Sequence, residues 1–169
     1  MMSDRILDAI KNRRSMRKYT SDPVPTEDIE TILTAGMMAP SAMNARPWEF
    51  VVVQNDDIKQ AIAAKHPFAK FIPQAPVVIV VCGMPEKERA PGLWPSDCAA
   101  ATENILIQAQ SMGYGTCWCA IHPYEKRGKD LMPIIDVSST PFCLIALGVP
   151  NDTPRMRGFY EPEKVHYLK

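Results

Sequence analysis

Helices packed on a mixed β-sheet, within one domain, form the architecture that the sequence predicts. Three observations carry it. The chain has 169 residues, 46% of them hydrophobic, and a domain of that size buries roughly 70% of its unfolded surface. Three apolar runs, residues 48–53, 77–82 and 142–147, have the length and residue types of strands. Segments with helical periodicity lie between them, so sheet and helices form separate layers.

The elements follow in order. Ser3 or Asp4 is placed to cap a first helix whose Ile6, Leu7 and Ile10 share one face. Pro25-Thr26 opens a second helix with Ile29, Ile32 and Leu33 inward, ending near Gly36. Trp48 to Val53 is a strand and Asp56 to Lys65 a short helix; Val77 to Cys82 is an uninterrupted apolar strand of the kind buried on both faces. Residues 83–95 form a loop rich in Pro and Gly, after which Ser96 caps the longest helix, running to about Met112. Gly113 and Gly115 end that helix; Thr116 to Ile121 is a short strand or turn, Pro123 starts a helix to about Ile135, and Phe142 to Leu147 is a further buried strand. Residues 151–169 lose core periodicity yet carry Phe159, Tyr160, Val165, Tyr167 and Leu168. Those side chains favour an arm that docks elsewhere over a frayed tail.

Composition excludes several classes of function. Lys and Arg number 19, as do Asp and Glu, so no net charge recruits a nucleic acid. The apolar fraction is too high for disorder. The longest apolar run, residues 75–83, is less than half the roughly 20 residues a membrane helix needs. Five cysteines form no C-x-x-C pair, and the N-terminus lacks a signal-peptide core. A reducing cytoplasm is the expected location.

Three segments carry chemistry. The first is Arg13-Arg14-Ser15-Met16-Arg17. Positions 6, 10, 13 and 17 fall on one helical face, which would aim Arg13 and Arg17 along a core-facing stripe where they need an anion such as phosphate. Alternatively the helix stops near Asn12 and the arginines favour its negative end. The second is Pro40-Ser41-Ala42-Met43-Asn44, a loop of small residues leading into a strand, either a connector or a place where the backbone approaches a flat ligand. The third, Cys117-Trp118-Cys119-Ala120, follows two glycines and leaves backbone N–H groups free to bind. Its two cysteines are expected on opposite faces of a strand, and no second pair or histidine cluster completes a metal site. Phosphate loops of the G-x-x-x-x-G-K-[ST] and G-x-G-x-x-G types and the G-x-S-x-G elbow do not occur.

Taken in order, the motifs resemble the FMN-dependent nitroreductase family. They are Arg13-Arg14-Ser15-x-Arg17-x-Tyr19, Ala39-Pro40-Ser41-x-x-Asn44, Pro47-Trp48-x-Phe50-Val51-Val52, Asp97, Gly113-x-Gly115-Thr116-Cys117-Trp118, Leu147-Gly148-x-Pro150 and Val165-His166. The resemblance implies an α+β sandwich with a central mixed, mainly antiparallel sheet flanked by helices. It implies one FMN-binding domain over residues 1–169 and an intertwined homodimer, with residues 151–169 as an arm on the partner.

For the site, the resemblance assigns Arg13, Arg14, Ser15 and Arg17 to the FMN phosphate, ribityl chain and pyrimidine edge. Pro40, Ser41, Ala42, Met43 and Asn44 would come from the other subunit. Cys117, Trp118, Cys119 and Ala120 would lie by the ring's central edge, and Arg155 and Arg157 would close on the phosphate. The family's usual Gln before Pro-Trp is Arg46 here; it pairs with flavin carbonyls, attracts acidic substrates or points to solvent. The implied activity is ping-pong hydride transfer from NADH or NADPH through flavin N5 to a small nitroaromatic, quinone or similar acceptor. Arg17 would stabilise the reduced ring electrostatically. Competing readings are a reductive dehalogenase of the same superfamily, against which the brevity of the 83–95 loop argues because such relatives need an added substrate-ordering lid, a non-catalytic FMN sensor or store, and a thiol protein built on Cys117 and Cys119. No metal, membrane or nucleic-acid partner is implied.

Overall fold

A computed structural model of the chain describes residues 6–155 and 158–168. Four strands form one sheet: β1 (Trp48–Val53), β2 (Val77–Gly83), β3 (Gly115–Ala120) and β4 (Thr140–Gly148), in the order β1-β2-β4-β3. All three ladders are antiparallel. The sheet expected to be mixed and mainly antiparallel is antiparallel in every ladder, with a parallel bridge between Ser15 and Thr116 beside it. The class itself, α+β, holds.

The central strands read as continuous apolar runs because helices cover both faces. On one face Ile62 and Leu131 pack with Val78, Val80 and Leu144. On the other, Ile32 and Ile105 pack with Ile79, Val81 and Ile145. Ile79 and Ile145 are opposite each other in the β2–β4 register, and both are fully buried. Each such side chain contributes about 1.5–3 kcal/mol by leaving water.

Five helices supply these layers: α1 (Asp8–Asn12), α2 (Thr26–Met37), α3 (Asp56–Lys65), α4 (Trp94–Ser111) and α5 (Glu125–Ile135). α3 begins where the Asn55 side chain accepts the Ile58 N–H at 3.0 Å. α4 starts three residues earlier than expected. Leu93, not Ser96, precedes it, and Pro95 fits the first turn because no N–H is needed there. α5 starts after Tyr124 rather than at Pro123.

The first helix ends at Asn12, the second of the two readings of this segment, but the apolar face expected to point inward is not buried. It has five residues, none of them buried, and Ile6, Leu7 and Ile10 are exposed. Arg13 already has extended backbone (φ −56°, ψ 132°), so the stripe through positions 6, 10, 13 and 17 does not form. The Arg14 guanidinium donates to the carbonyls of Lys11 and Arg13, each at 2.8 Å, and closes the helix end. The proposed caps Ser3 and Asp4 lie outside the described residues.

After β4 the chain is tied once more. Tyr19 bridges Pro150, and Asn151 donates its N–H to the Lys18 carbonyl at 2.9 Å. Beyond that point Phe159, Tyr160, Tyr167 and Leu168 are exposed, with a single turn at Pro162–Lys164.

Candidate functional site

β3 lies at an edge of the sheet. Residues 15–16 run beside that edge, and Met16 donates its N–H to the Thr116 carbonyl at 2.8 Å. The approach is close because residue 115 is glycine: a Cβ there would stand 2.7 Å from Met16 Cγ. In an antiparallel ladder the backbone polar groups of alternate residues face opposite ways. Thr116 turns outward, so Trp118 and Ala120 do as well. The Ala120 carbonyl is occupied, accepting from His66 Nε2 at 2.9 Å and from the Arg127 guanidinium at 3.1 Å. Trp118 is thus left presenting its N–H at the open edge.

Side chains alternate too. Cys117 and Cys119 both pack in the core under α3 and α5, whereas Trp118 packs on the opposite face. The expectation that the two thiols face opposite ways is corrected, since positions two apart in a strand share a face. The neighbouring Cys119 thiol favours the thiolate of Cys117 and lowers its pKa; burial opposes this, and Arg17, the Ser15 hydroxyl and Arg13 add to it. Cys119 is pushed the other way by the same neighbour and by burial. Burial raises Cys82 and Cys98 to about 12.

A cleft of about 240 Å³ opens against this edge. Arg17 joins it from the N-terminal segment, and Cys117 to Ala120 form its floor. His66, Phe68, Tyr124 and Arg127 complete its wall. None of the four was singled out from sequence, because they lie about 50 residues apart in two groups that meet only at Ala120. The available signal was the i, i+3 spacing of Tyr124 and Arg127, which stacks a guanidinium on a ring.

The arginines divide their roles. Arg13 lies 3.5 Å from Glu103 in an exposed pair. Arg17 stands 6.0 Å from the Phe71 ring centroid and pairs with no carboxylate among the described residues. Arg14 keeps a buried Nε with no partner. Cationic donors, one orphaned guanidinium nitrogen and an open backbone N–H suit a planar ligand that bears an anionic group. Arg155 is exposed, and Arg157 lies outside the described residues.

The loop over residues 40–46 is not part of this cleft. It feeds β1, three strand spacings from β3, or roughly 14 Å across the sheet. Its conformation is unusual: Met43, Asn44 and Arg46 all have φ near +50°, a region that costs such residues of order 1–3 kcal/mol each. Three bonds made by side chains hold it. Asp97 accepts the Ala42 N–H at 2.9 Å, Ser41 Oγ accepts the Arg46 N–H at 2.9 Å, and Arg46 Nε donates to Asn44 Oδ1 at 3.1 Å. Arg46 remains exposed, tied to its own loop. One chain therefore brings together two of the three expected segments and leaves the third apart.

Fold and cleft define an α+β protein with a helix–sheet–helix sandwich and a cationic, open-edged binding strand. A model of the Nitroreductase family matches residues 10–68 and 61–149. A protein of Methanothermobacter thermautotrophicus, provisionally named an NADH dehydrogenase/NAD(P)H nitroreductase, is 40% identical over 166 residues, covering 97% of this chain and 87% of its own. A Bacteroides thetaiotaomicron crystal structure under the same provisional name has a TM-score of 0.90 at 39% identity, covering 95% of each chain. A provisionally named nitroreductase from Desulfovibrio desulfuricans, solved in complex with FMN, has a TM-score of 0.86 at 26% identity, again over 95% of each chain. The chain belongs to the nitroreductase family.

Proposed function

We propose that the protein is a homodimeric FMN-dependent oxidoreductase that takes electrons from NADH or NADPH and passes them to a small electron-poor acceptor. The observation that carries the reading is the meeting of Arg17 with the open edge of β3 in one cleft. FMN, when bound, supplies the hydride chemistry.

The chain's own residues bind and orient. Arg13, Arg17 and the unpartnered Arg14 Nε offer donors to an anionic tail, and Ser15 adds a hydroxyl. Trp118 offers its N–H to one edge of a flat ring, with Cys117, Cys119 and Ala120 beneath. Arg17 holds fixed positive charge in the cleft and stabilises negative charge developing on a reduced ring. The strained loop, Pro40 to Asn44, is too distant to serve its own chain's cleft and would serve that of a second copy. Residues 151–169 are assigned as the arm that embraces that copy, covering its exposed aromatics, with Arg155 and Arg157 turned to the phosphate. The whole chain is then one FMN-binding domain, and five free cysteines suit a reducing cytoplasm.

The test is direct. Purified protein should sediment as a dimer, carry flavin absorbance, lose it on anaerobic addition of NADH or NADPH, and regain it when a nitroaromatic or quinone is added. A colourless monomer indifferent to added FMN overturns the proposal. Flavin that no nicotinamide bleaches would instead identify a store or sensor.

A further inference from the structure

The wall of the cleft that Phe68, Tyr124 and Arg127 form has a composition that the binding of a cofactor tail and ring edge does not require. Arg127 is fixed from two sides: its guanidinium donates to the Ala120 carbonyl at 3.1 Å, and its carbon centre lies 3.9 Å from the Tyr124 ring centroid. Phe68 stands on a second side, at 5.6 Å. Both rings are open to solvent, Tyr124 at 54% and Phe68 at 75%. Large exposed aromatic surface beside an immobilised cation is unusual unless something planar covers it.

The charge balance points the same way. Among the described residues no carboxylate lines the cleft and Arg127 pairs with none. The other basic group on that wall, His66, gains a proton less readily than a free imidazole. Burial lowers its pKa, and Arg127 and Lys70 oppose a second charge. The two ring nitrogens are both satisfied, one by the Ala120 carbonyl and the other by the Phe68 N–H at 3.3 Å. Nothing in the cleft neutralises Arg127, so a ligand's anionic group can do so, while its ring lies on Tyr124 and Phe68.

We propose that Tyr124, Arg127 and Phe68 form an acceptor subsite selective for aromatic anions, such as ring compounds bearing a carboxylate. This deepens the oxidoreductase reading and rests on it: the acceptor, rather than the cofactor, contacts this wall.

The test compares para-nitrobenzoate with its neutral methyl ester, both as ligands in calorimetric titration of the flavin-loaded protein and as acceptors in turnover. The wild type should bind the carboxylate about tenfold more tightly than the ester, with the margin shrinking as salt rises. Arg127→Gln should bring the two ligands to near parity, in Kd and in kcat/KM, with flavin content per chain unchanged. Arg127→Lys, which keeps the charge and loses the planar stack, should retain part of the margin. Equal binding of both ligands by the wild type, or an unchanged margin in Arg127→Gln, overturns the subsite. If Arg127→Gln fails to fold, the wild-type margin and its partial retention in Arg127→Lys decide. A protein with no flavin and no NAD(P)H oxidation refutes the oxidoreductase reading instead, and titration of that protein still reads the wall's preference for the anion.

Discussion

Asp97, in the first turn of α4, accepts the backbone N–H of Ala42 at 2.9 Å and so pins the strained loop to the helix layer. Its second oxygen is buried with no partner in a residue only 5% exposed. Asp97→Ala should leave the Ala42 amide unsatisfied and lower stability by about 1–3 kcal/mol. Denaturant unfolding measures the loss, and faster hydrogen exchange at Ala42 would locate it. Unchanged exchange there would show that the loop holds its conformation without this bond.

Cys117 should be the thiol most readily alkylated. Among the five, it alone is shifted toward its thiolate. Cys82 and Cys98 are held near 12 by burial. Labelling with a small haloacetamide, followed by peptide mapping, should therefore give a rate at Cys117 that rises at lower pH than at any other cysteine of the chain. Arg17→Ala should move that rise to higher pH, because it removes a positive charge that favours the thiolate. A profile that Arg17→Ala leaves in place would remove the arginine from the account.

His66 should make the fold acid-sensitive. Burial, and to a lesser degree Arg127 and Lys70, lower its pKa in the folded chain. The unfolded chain takes up this proton near pH 6.5, the folded chain only at lower pH. Stability is therefore complete above about pH 6.5 and falls as pH drops toward the folded value. Denaturant midpoints measured from pH 8 downward should show that slope (values set by the ordinary histidine range), and His66→Gln should flatten it.

Gly83, at the end of β2, leaves room for Trp94: a Cβ at this position would meet the Cε3 and Cζ3 atoms of that ring. Trp94 cannot readily yield, since it packs edge-on against His122 at 4.8 Å and Phe142 at 6.2 Å. Gly83→Ala should cost about 1–3 kcal/mol through overpacking, or roughly 2–4 °C in Tm per kcal/mol for a chain of this size.

What could be read from the sequence follows from the range of the forces involved. β1 and α3 match their expected limits to the residue, and β2 and β4 match to within a few, because an apolar run or an Asn cap is a local signal. Helix α4 was misplaced at its start because Ser96 is a good cap by composition, whereas Trp94-Pro95 begins the helix through tertiary packing on His122 and Phe142. The stripe through Arg13 and Arg17 failed because five residues are too few to propagate a helix, and pairing with Thr116 then set the backbone. Motifs located Ser15, Arg17 and Cys117 to Ala120, which do meet. The wall of His66, Phe68, Tyr124 and Arg127 was invisible, since a single carbonyl at Ala120 gathers residues with no shared pattern.

The outward face of β3 has a further consequence. The Thr116 carbonyl is engaged by Met16, and the Ala120 carbonyl by His66 and Arg127, so few backbone groups, the Trp118 N–H among them, stand uncommitted along that border among the described residues. A foreign strand needs several consecutive unpaired groups to zip onto a sheet. With its carbonyls at Thr116 and Ala120 already engaged, this border gives such a strand little template. The β3 edge can therefore hold a backbone donor in readiness for a small molecule without inviting a neighbouring strand.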